Sequence, residues 1–194
     1  MKLLQVNHYG HHIGGGEAYV AEAHSGLLES GDSALLAYLE PEVCDPLLHE
    51  SLSLAQPDSS GHRERELIRS LRRLLVNYAP DVAFVHSLYS PSILEYLARA
   101  LPTVAYVHSP YPVCPGSGYY LRRSGVPCTR AFGLHCVVRG QIERCCWGRN
   151  PARHAFALIK AHAFRRAYQS VSMILVGSEF MRDLLVRNGY PGRR

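Results

Sequence analysis

Residues 80–109 read PDVAFVHSLYSPSILEYLARALPTVAYVHS. Two short apolar runs, Val82-Ala83-Phe84-Val85 and Thr103-Val104-Ala105-Tyr106-Val107, flank residues 92–100, whose apolar positions recur at helical spacing. Pro80 and Pro102 mark the starts of the two runs by closing the helices before them. A continuously apolar run of this length predicts a strand covered on both faces, and strand–helix–strand predicts a parallel pair. Both runs finish on the same polar pair, His86-Ser87 and His108-Ser109.

The alternation extends in both directions. Upstream lie an apolar run at 3–6, a helix-spaced segment at 17–28 that Gly31 stops, and a second run at 33–39. In the 17–28 segment Val20, Ala23, Leu27 and Leu28 form the inward line. Residues 41–60 are polar, with Pro and Ser, and read as a loop. Residues 64–78 predict an amphipathic helix, with Leu67, Ile68, Leu71, Leu74 and Leu75 inward and Arg65, Arg69, Arg72 and Arg73 outward. Downstream, 109–150 is a loop-rich excursion. A long helix follows from Pro151 to about 168, then a strand at 172–176 and a helix capped by Ser178 and ended by Asn188-Gly189. The expected fold is therefore α/β: five parallel strands with helices on both faces, in one domain spanning 1–194. In such folds ligands gather beyond the carboxyl ends of the strands. Asn7-His8, His86-Ser87, His108-Ser109 and Gly177-Ser178-Glu179 all fall there.

Charge is unevenly distributed. The net charge is +5, but residues 1–100 hold 7 Lys/Arg against 13 Asp/Glu, and residues 101–194 hold 14 against 3. The second half thus presents a basic face suited to phosphate, pyrophosphate or an anionic lipid surface, or simply to solvent. Nucleic acid is disfavoured as a partner, because no recognition module is present and the aromatics are Tyr in Pro-rich loops. No run approaches the roughly 18 apolar residues of a membrane span. The apolar start is too short for a signal peptide and lacks a small-residue cleavage site. These features predict a cytoplasmic protein, with a peripheral position at the inner membrane face as a variant.

Gly14-Gly15-Gly16-Glu17 stands where the first strand gives way to the first helix. Glycine lets backbone approach a ligand closely, and a helix N-terminus offers unbonded N–H groups. The stretch is not the dinucleotide fingerprint: Tyr19 replaces the third glycine, and seven residues separate Val6 from Gly14. His8, His86 and His108 are strand-end histidines able to bond a ligand hydroxyl or phosphate, or to serve as core histidines bonded to backbone. Cys114, Cys128, Cys136, Cys145 and Cys146 fall within 33 residues, with 13, 7, 8 and 0 residues between them. No CxxC occurs. The thiols, with His135 as a further candidate ligand, either converge on a structural zinc or iron–sulfur group or remain free thiols with an occasional disulfide. No GxSxG elbow and no Walker loop is present.

Taken in order, Val6-Asn7-His8-Tyr9, His12-Ile13-Gly14-Gly15-Gly16-Glu17, Pro80-Asp81-Val82-Ala83-Phe84-Val85-His86, Val104-Ala105-Tyr106-Val107-His108, Cys114-Pro115-Gly116 and Val176-Gly177-Ser178-Glu179-Phe180-Met181 resemble the N-terminal half of family 4 retaining glycosyltransferases. The resemblance implies the acceptor-side domain of a GT-B fold and transfer of a sugar from a nucleotide-sugar donor to an acceptor hydroxyl. The acceptor would be a glycan, a lipid or a small molecule. It implies that Gly14 and Gly15 approach the donor pyrophosphate and acceptor, with Gly16 in the same turn. His108 would bond a hydroxyl of the transferred sugar, and Ser178 and Glu179 would lie near the interdomain cleft. Two positions depart from the pattern. Gly16 stands where the family usually has a small residue such as Ala, and Ser109-Pro110 follows His108 where Asp is frequent.

The family binds its nucleotide mainly in a second domain. The resemblance therefore implies a C-terminal domain or partner chain not contained in these 194 residues, with negligible transfer by the chain alone. No cofactor is expected for the chemistry itself. The competing expectation is a non-catalytic α/β binding module whose cysteine-rich loop is stapled by a metal.

Overall fold

The computed structural model describes residues 1–10, 14–40, 51–53, 63–114, 116, 118–145 and 150–192. The elements are β1 (Lys2–Asn7), α1 (Gly15–Glu29), β2 (Ser33–Tyr38), β3 (Ser51–Ser53), α2 (Arg63–Tyr78), β4 (Val82–Val85), α3 (Pro91–Ala100), β5 (Thr103–Val107), β6 (Tyr120–Leu121), β7 (Val126–Pro127), α4 (His135–Ile142), α5 (Pro151–Gln169), β8 (Met173–Val176) and α6 (Glu179–Arg187). Six strands form one sheet in the order β3-β2-β1-β4-β5-β8, and β6-β7 form a separate antiparallel pair. The β2–β3, β1–β2, β1–β4 and β4–β5 pairings are parallel. This is a Rossmann-like α/β fold.

The five expected strands are present, with a sixth at the sheet edge. Strand β3 lies in the stretch read as loop, because Ser51-Leu52-Ser53 lacks the apolar run that marks the others. The 109–150 excursion likewise contains the β6–β7 hairpin and α4. Two-residue strands are too short to show a period of two, so the pattern could not reveal them.

The chain forms two compact units, one of Met1–Tyr106 with Ser170–Leu175, the other of Val107–Gln169 with Val176–Arg194. In the first, the parallel register places β1 between β2 and β4, with Gln5 opposite both Leu36 and Phe84. Leu4, Val6, Ala83 and Val85 are fully buried. Helix α2 contributes Leu67, Leu71 and Leu74, and α3 contributes Ile93, Leu94 and Leu97. Each such side chain is worth roughly 1.5–3 kcal/mol of burial. Ser90 caps α3, its Oγ accepting from the Ile93 N–H at 3.4 Å, and Pro91 opens the helix as its fixed φ favours.

Helix α1 buries Val20 and His24, whereas Leu28 is exposed. The inward line is thus rotated from the apolar one, and the reason is Gln5. This amide is fully buried on β1. His24 Nδ1 lies 2.7 Å from Gln5 Oε1, and Gln5 Nε2 faces His86 Nε2 at a longer 3.5 Å. A buried amide needs such partners, and α1 turns a histidine inward to supply one.

The second unit is built on α5 and α6. Helix α5 buries His154, Leu158, Phe164 and Tyr168, and α6 buries Met181, Leu184 and Leu185. As the Asn188-Gly189 pair predicts, α6 ends there. Gly189 adopts φ 78°, and the Tyr190 N–H reaches back to the Leu185 carbonyl at 3.1 Å. Asn188 holds the cysteine-rich segment to this helix end. Its Oδ1 accepts from the Phe132 N–H at 2.8 Å, and Arg187 donates to the Thr129 carbonyl at 3.0 Å. Buried Tyr190 donates its hydroxyl to the Pro112 carbonyl at 2.9 Å. By contrast, α4 buries Gly140 alone, while Leu134, Val138 and Ile142 face outward.

Two stability predictions follow from these buried polar groups. Gln5→Met keeps the side chain's length but removes its bonds to His24 and His86. It is expected to lower the urea unfolding midpoint by the equivalent of about 1–3 kcal/mol; an unchanged midpoint would show the amide to be idle. Burial drives the Tyr190 phenol far above its ordinary range. The folded state therefore holds it neutral while the unfolded chain ionises near pH 10. Its contribution is complete below about pH 10 and is lost as pH rises above that value. Tyr190→Phe is expected to flatten the alkaline fall in melting temperature, and a profile parallel to wild type would contradict this.

Candidate functional site

The sheet order reverses between β1 and β4: β2 and β3 lie on one side of β1, while β5 and β8 lie beyond β4. At such a switch point the connections diverge, and open α/β sheets take their ligands in the crevice expected beyond the strand ends. Asn7 and His8 leave β1 there, and His86 and Ser87 leave β4. The His86 N–H donates to the Val6 carbonyl at 2.8 Å, carrying the ladder one step past β4.

The rim is aromatic and polar. The His8 ring meets Tyr9 edge-on at 4.7 Å and Tyr89 at 4.9 Å between centroids. His8 Nε2 lies 3.4 Å from Glu40 Oε1, an ion pair whenever the imidazole is protonated. The His8 carbonyl accepts from the Leu39 and Glu40 N–H groups at 3.1 and 3.0 Å, which locks the exits of β1 and β2 together. Asn7 is buried. Its Nδ2 donates to the Tyr9 carbonyl at 2.9 Å, and its Oδ1 finds no hydrogen-bond partner among the described residues. Gly10 is required sterically, because a Cβ there would lie 2.6 Å from the Tyr38 ring.

Gly14 and Gly15 pose the opposite case. Among the described residues a Cβ at either would meet nothing within 4 Å, and neither has a positive φ. Nothing described in the chain demands glycine at these two positions. Gly14 is the N-cap of α1, and its N–H donates to Glu17 Oε2 at 3.0 Å. Gly15 and Gly16 open the helix. A carboxylate near a helix N-terminus is favourable, and Glu17 fills part of the place an anion would take.

The expected site residues fall into both units. His8, Gly14, Gly15, Gly16 and His86 belong to the first, and His108, Ser178 and Glu179 to the second. His86 is buried at 1% exposure, with Phe84 at 4.2 Å and Tyr19 at 5.9 Å between ring centroids. It lies beneath the crevice as a core histidine. Burial, then the neighbouring Tyr106, pushes the Tyr19 phenol up. His108 is half-buried directly after β5. Ser178 and Glu179 are exposed; Ser178 Oγ accepts from the Met181 N–H at 3.2 Å and caps α6. Glu179 pairs with Arg182 at 3.8 Å.

Cys114, Cys128, Cys136 and Cys145 are half-buried residues of the second unit that form no disulfide with one another, and Cys146 lies outside the described residues. Burial pushes the Cys114 and Cys136 thiols above their usual range. Among the described residues, no group of three or more His, Cys, Asp or Glu side chains already stands arranged to hold a metal ion. No helix among them is long and apolar enough to cross a membrane.

Sequence reasoning did not single out Gly10, Tyr89 or Glu40 for the site. Glu40 and Tyr89 join His8 only because β2 and β4 flank β1, which no local pattern shows. Chemically the crevice offers acceptors, aromatic edges and helix N–H groups. That set suits a hydroxylated or anionic ligand.

None of the curated protein sequences matches this chain. Among solved structures, the lipopolysaccharide outer core galactosyltransferase WaaB in its apo form superposes with a TM-score of 0.56 at 10% identity. That match covers 99% of this chain and 43% of the WaaB chain, so this chain spans less than half the length of that protein. More distant are a ugt transferase from Siraitia grosvenorii in complex with UDP and a doubly substituted variant of Os79 from O. sativa in complex with UDP. Each has a TM-score of 0.49, at 12% and 16% identity, covering 91% and 92% of this chain and 45% and 47% of theirs. The sequence model of Glycosyltransferase Family 4 matches residues 13–194, nearly the whole chain. With the parallel sheet and its strand-end crevice, that match makes the chain a member of Glycosyltransferase Family 4.

Proposed function

We propose that this chain forms the acceptor-side part of a glycosyltransferase that moves a sugar from a nucleotide-sugar donor to an acceptor hydroxyl with retention. The observation that carries this reading is the space that the described residues leave at Gly14 and Gly15, at the head of α1 beside the sheet's switch point. A backbone without side chains there lets a diphosphate or a sugar ring approach the α1 N–H groups. Asn7 Oδ1, a buried acceptor, supports a hydroxyl-bearing ligand in the same crevice. His8 and Glu40 add a proton-dependent pair to its rim.

In this reading His108 bonds a hydroxyl of the transferred sugar. Ser178 and Glu179 border the cleft toward a nucleotide-binding half, which a further domain or a partner chain supplies. His86 acts from below, fixing the β4 exit through its contact with Gln5. The acceptor is a glycan, a lipid or a small molecule. The basic surplus of residues 101–194 favours an anionic or lipid-phosphate acceptor and a cytoplasmic protein resting on the inner membrane face.

One wall of a cleft neither excludes water nor orients two substrates. Purified alone, the 194-residue chain is expected to show negligible transfer from any nucleotide sugar; turnover at about 1–10³ s⁻¹ would overturn the half-site reading. In an assembly that does transfer sugar, His108→Ala is expected to lower kcat about 10²–10³-fold. Gly15→Val is expected to lower kcat/KM at least about tenfold with the melting temperature nearly unchanged, since a side chain fits the chain but not a ligand. Inversion of the anomeric configuration, read by NMR on early product, would reject retention. Stoichiometric metal without nucleotide-sugar or acceptor binding would favour the binding-module reading instead.

A further inference from the structure

We propose that α4, with the β6–β7 turn beside it, is a docking surface for an anionic lipid bilayer. This surface gives the membrane contact of the proposed function its place in the fold. It rests on that reading in taking a bilayer as the partner, but it does not require sugar transfer.

Helix α4 wears its apolar stripe on the outside. Its contact with α5 is made through Gly140, where a Cβ would lie 2.5 Å from His154 Cε1. Beside it His154 Nδ1 lies 3.1 Å from Gln141 Nε2. This close approach fixes which side of α4 faces its own unit. Leu134, at the N-cap with helical dihedrals, Val138 and Ile142 recur at every fourth residue and so share one stripe. The stripe falls on the other side: the three are 86%, 60% and 53% exposed. An amphipathic helix ordinarily buries such a stripe. Here the stripe is left for something outside the chain to cover.

Charge indicates what covers it. The Arg123 N–H donates to the Glu143 carbonyl at 3.1 Å, which sets the β6–β7 turn against the end of α4, next to Ile142. Arg122 and Arg123 on that turn are exposed, as is Arg144 just past the helix. Val126 of β7 adds a further exposed apolar side chain. From residue 121 to 145 the sequence holds five arginines against Glu143 alone. Apolar side chains flanked by cations are what a helix lying in the headgroup layer presents, with its apolar face toward the acyl chains. Arginine stems can lie along that face while the guanidinium groups stay among anionic headgroups.

A second copy of the chain fits less well. A twofold contact sets a patch against itself, so arginines would meet arginines. Three apolar side chains also fall well short of the roughly 800 Å² per partner that a specific protein interface buries. A bilayer needs no such area and supplies the opposite charge.

The test is co-sedimentation of the 194-residue chain with vesicles of phosphatidylcholine alone and of phosphatidylcholine mixed equally with phosphatidylglycerol. Binding is expected to the mixed vesicles only, and it should weaken as salt rises. Replacing the stripe together, Leu134→Gln with Val138→Gln and Ile142→Gln, is expected to lower the partition constant at least about tenfold. Arg123→Gln is expected to lower it about fivefold. Melting temperatures should stay near that of the unaltered chain, because these side chains face solvent. If the triple variant melts early, the unaltered chain decides: failure to sediment with mixed vesicles at low salt overturns the surface. Equal sedimentation of triple variant and unaltered chain would overturn the role of α4, since charge alone would then hold the lipid. Dimerisation that the triple variant abolishes would give the stripe to a second copy and overturn the bilayer. Sugar transfer is assayed separately. An assembly that transfers sugar but binds no vesicles sinks this surface and leaves the proposed reaction standing.

Discussion

A strand covered on both faces has no water for its side chains, and β1 is such a strand from Leu3 to Asn7. Its polar interior side chain, Gln5, must therefore be satisfied by protein. His24 from α1 and His86, just past β4, approach the two ends of its amide. That requirement sets the rotation of α1 and ties the helix that carries the glycine turn to the strand that closes the crevice on its other side. The site's floor is thus a core polar network, and its rim inherits positions from it.

Above this floor, two glycine environments do different work. Gly10 is demanded by the chain, since Tyr38 occupies the space a side chain would need. Gly14 and Gly15 are not: no described residue comes within 4 Å of a Cβ placed at either. The first kind fixes how the loop leaves β1, and the second leaves the α1 N-terminus approachable. In the proposed reading a sugar-bearing ligand meets the chain at the sheet's switch point, beside this head of α1.

The second unit follows another logic. Its helices α5 and α6 have an apolar core, and the end of α6 gathers the segment around it through Arg187, Asn188 and Tyr190. The β6–β7 hairpin and α4 contribute little apolar burial. Backbone bonds tie them in place: the Cys128 N–H donates to the Tyr119 carbonyl at 2.9 Å and the Arg123 N–H to the Glu143 carbonyl at 3.1 Å.

The sequence by itself determined the alternation of elements, because continuous apolar strands and helices punctuated by Pro80, Pro102 and Gly189 are local features that a one-dimensional pattern records. It also placed Ser178 as a cap and located the polar strand ends, since both depend on immediate neighbours. Only the tertiary structure decided what the strand-end residues became. His8 joined Glu40 and Tyr89 through strand order, while His86 was drawn inward by Gln5, a residue 81 positions away. Strand β3 and the β6–β7 hairpin were equally invisible beforehand. Their few residues carry no period, and they exist because a neighbouring strand or turn offers backbone groups to pair with.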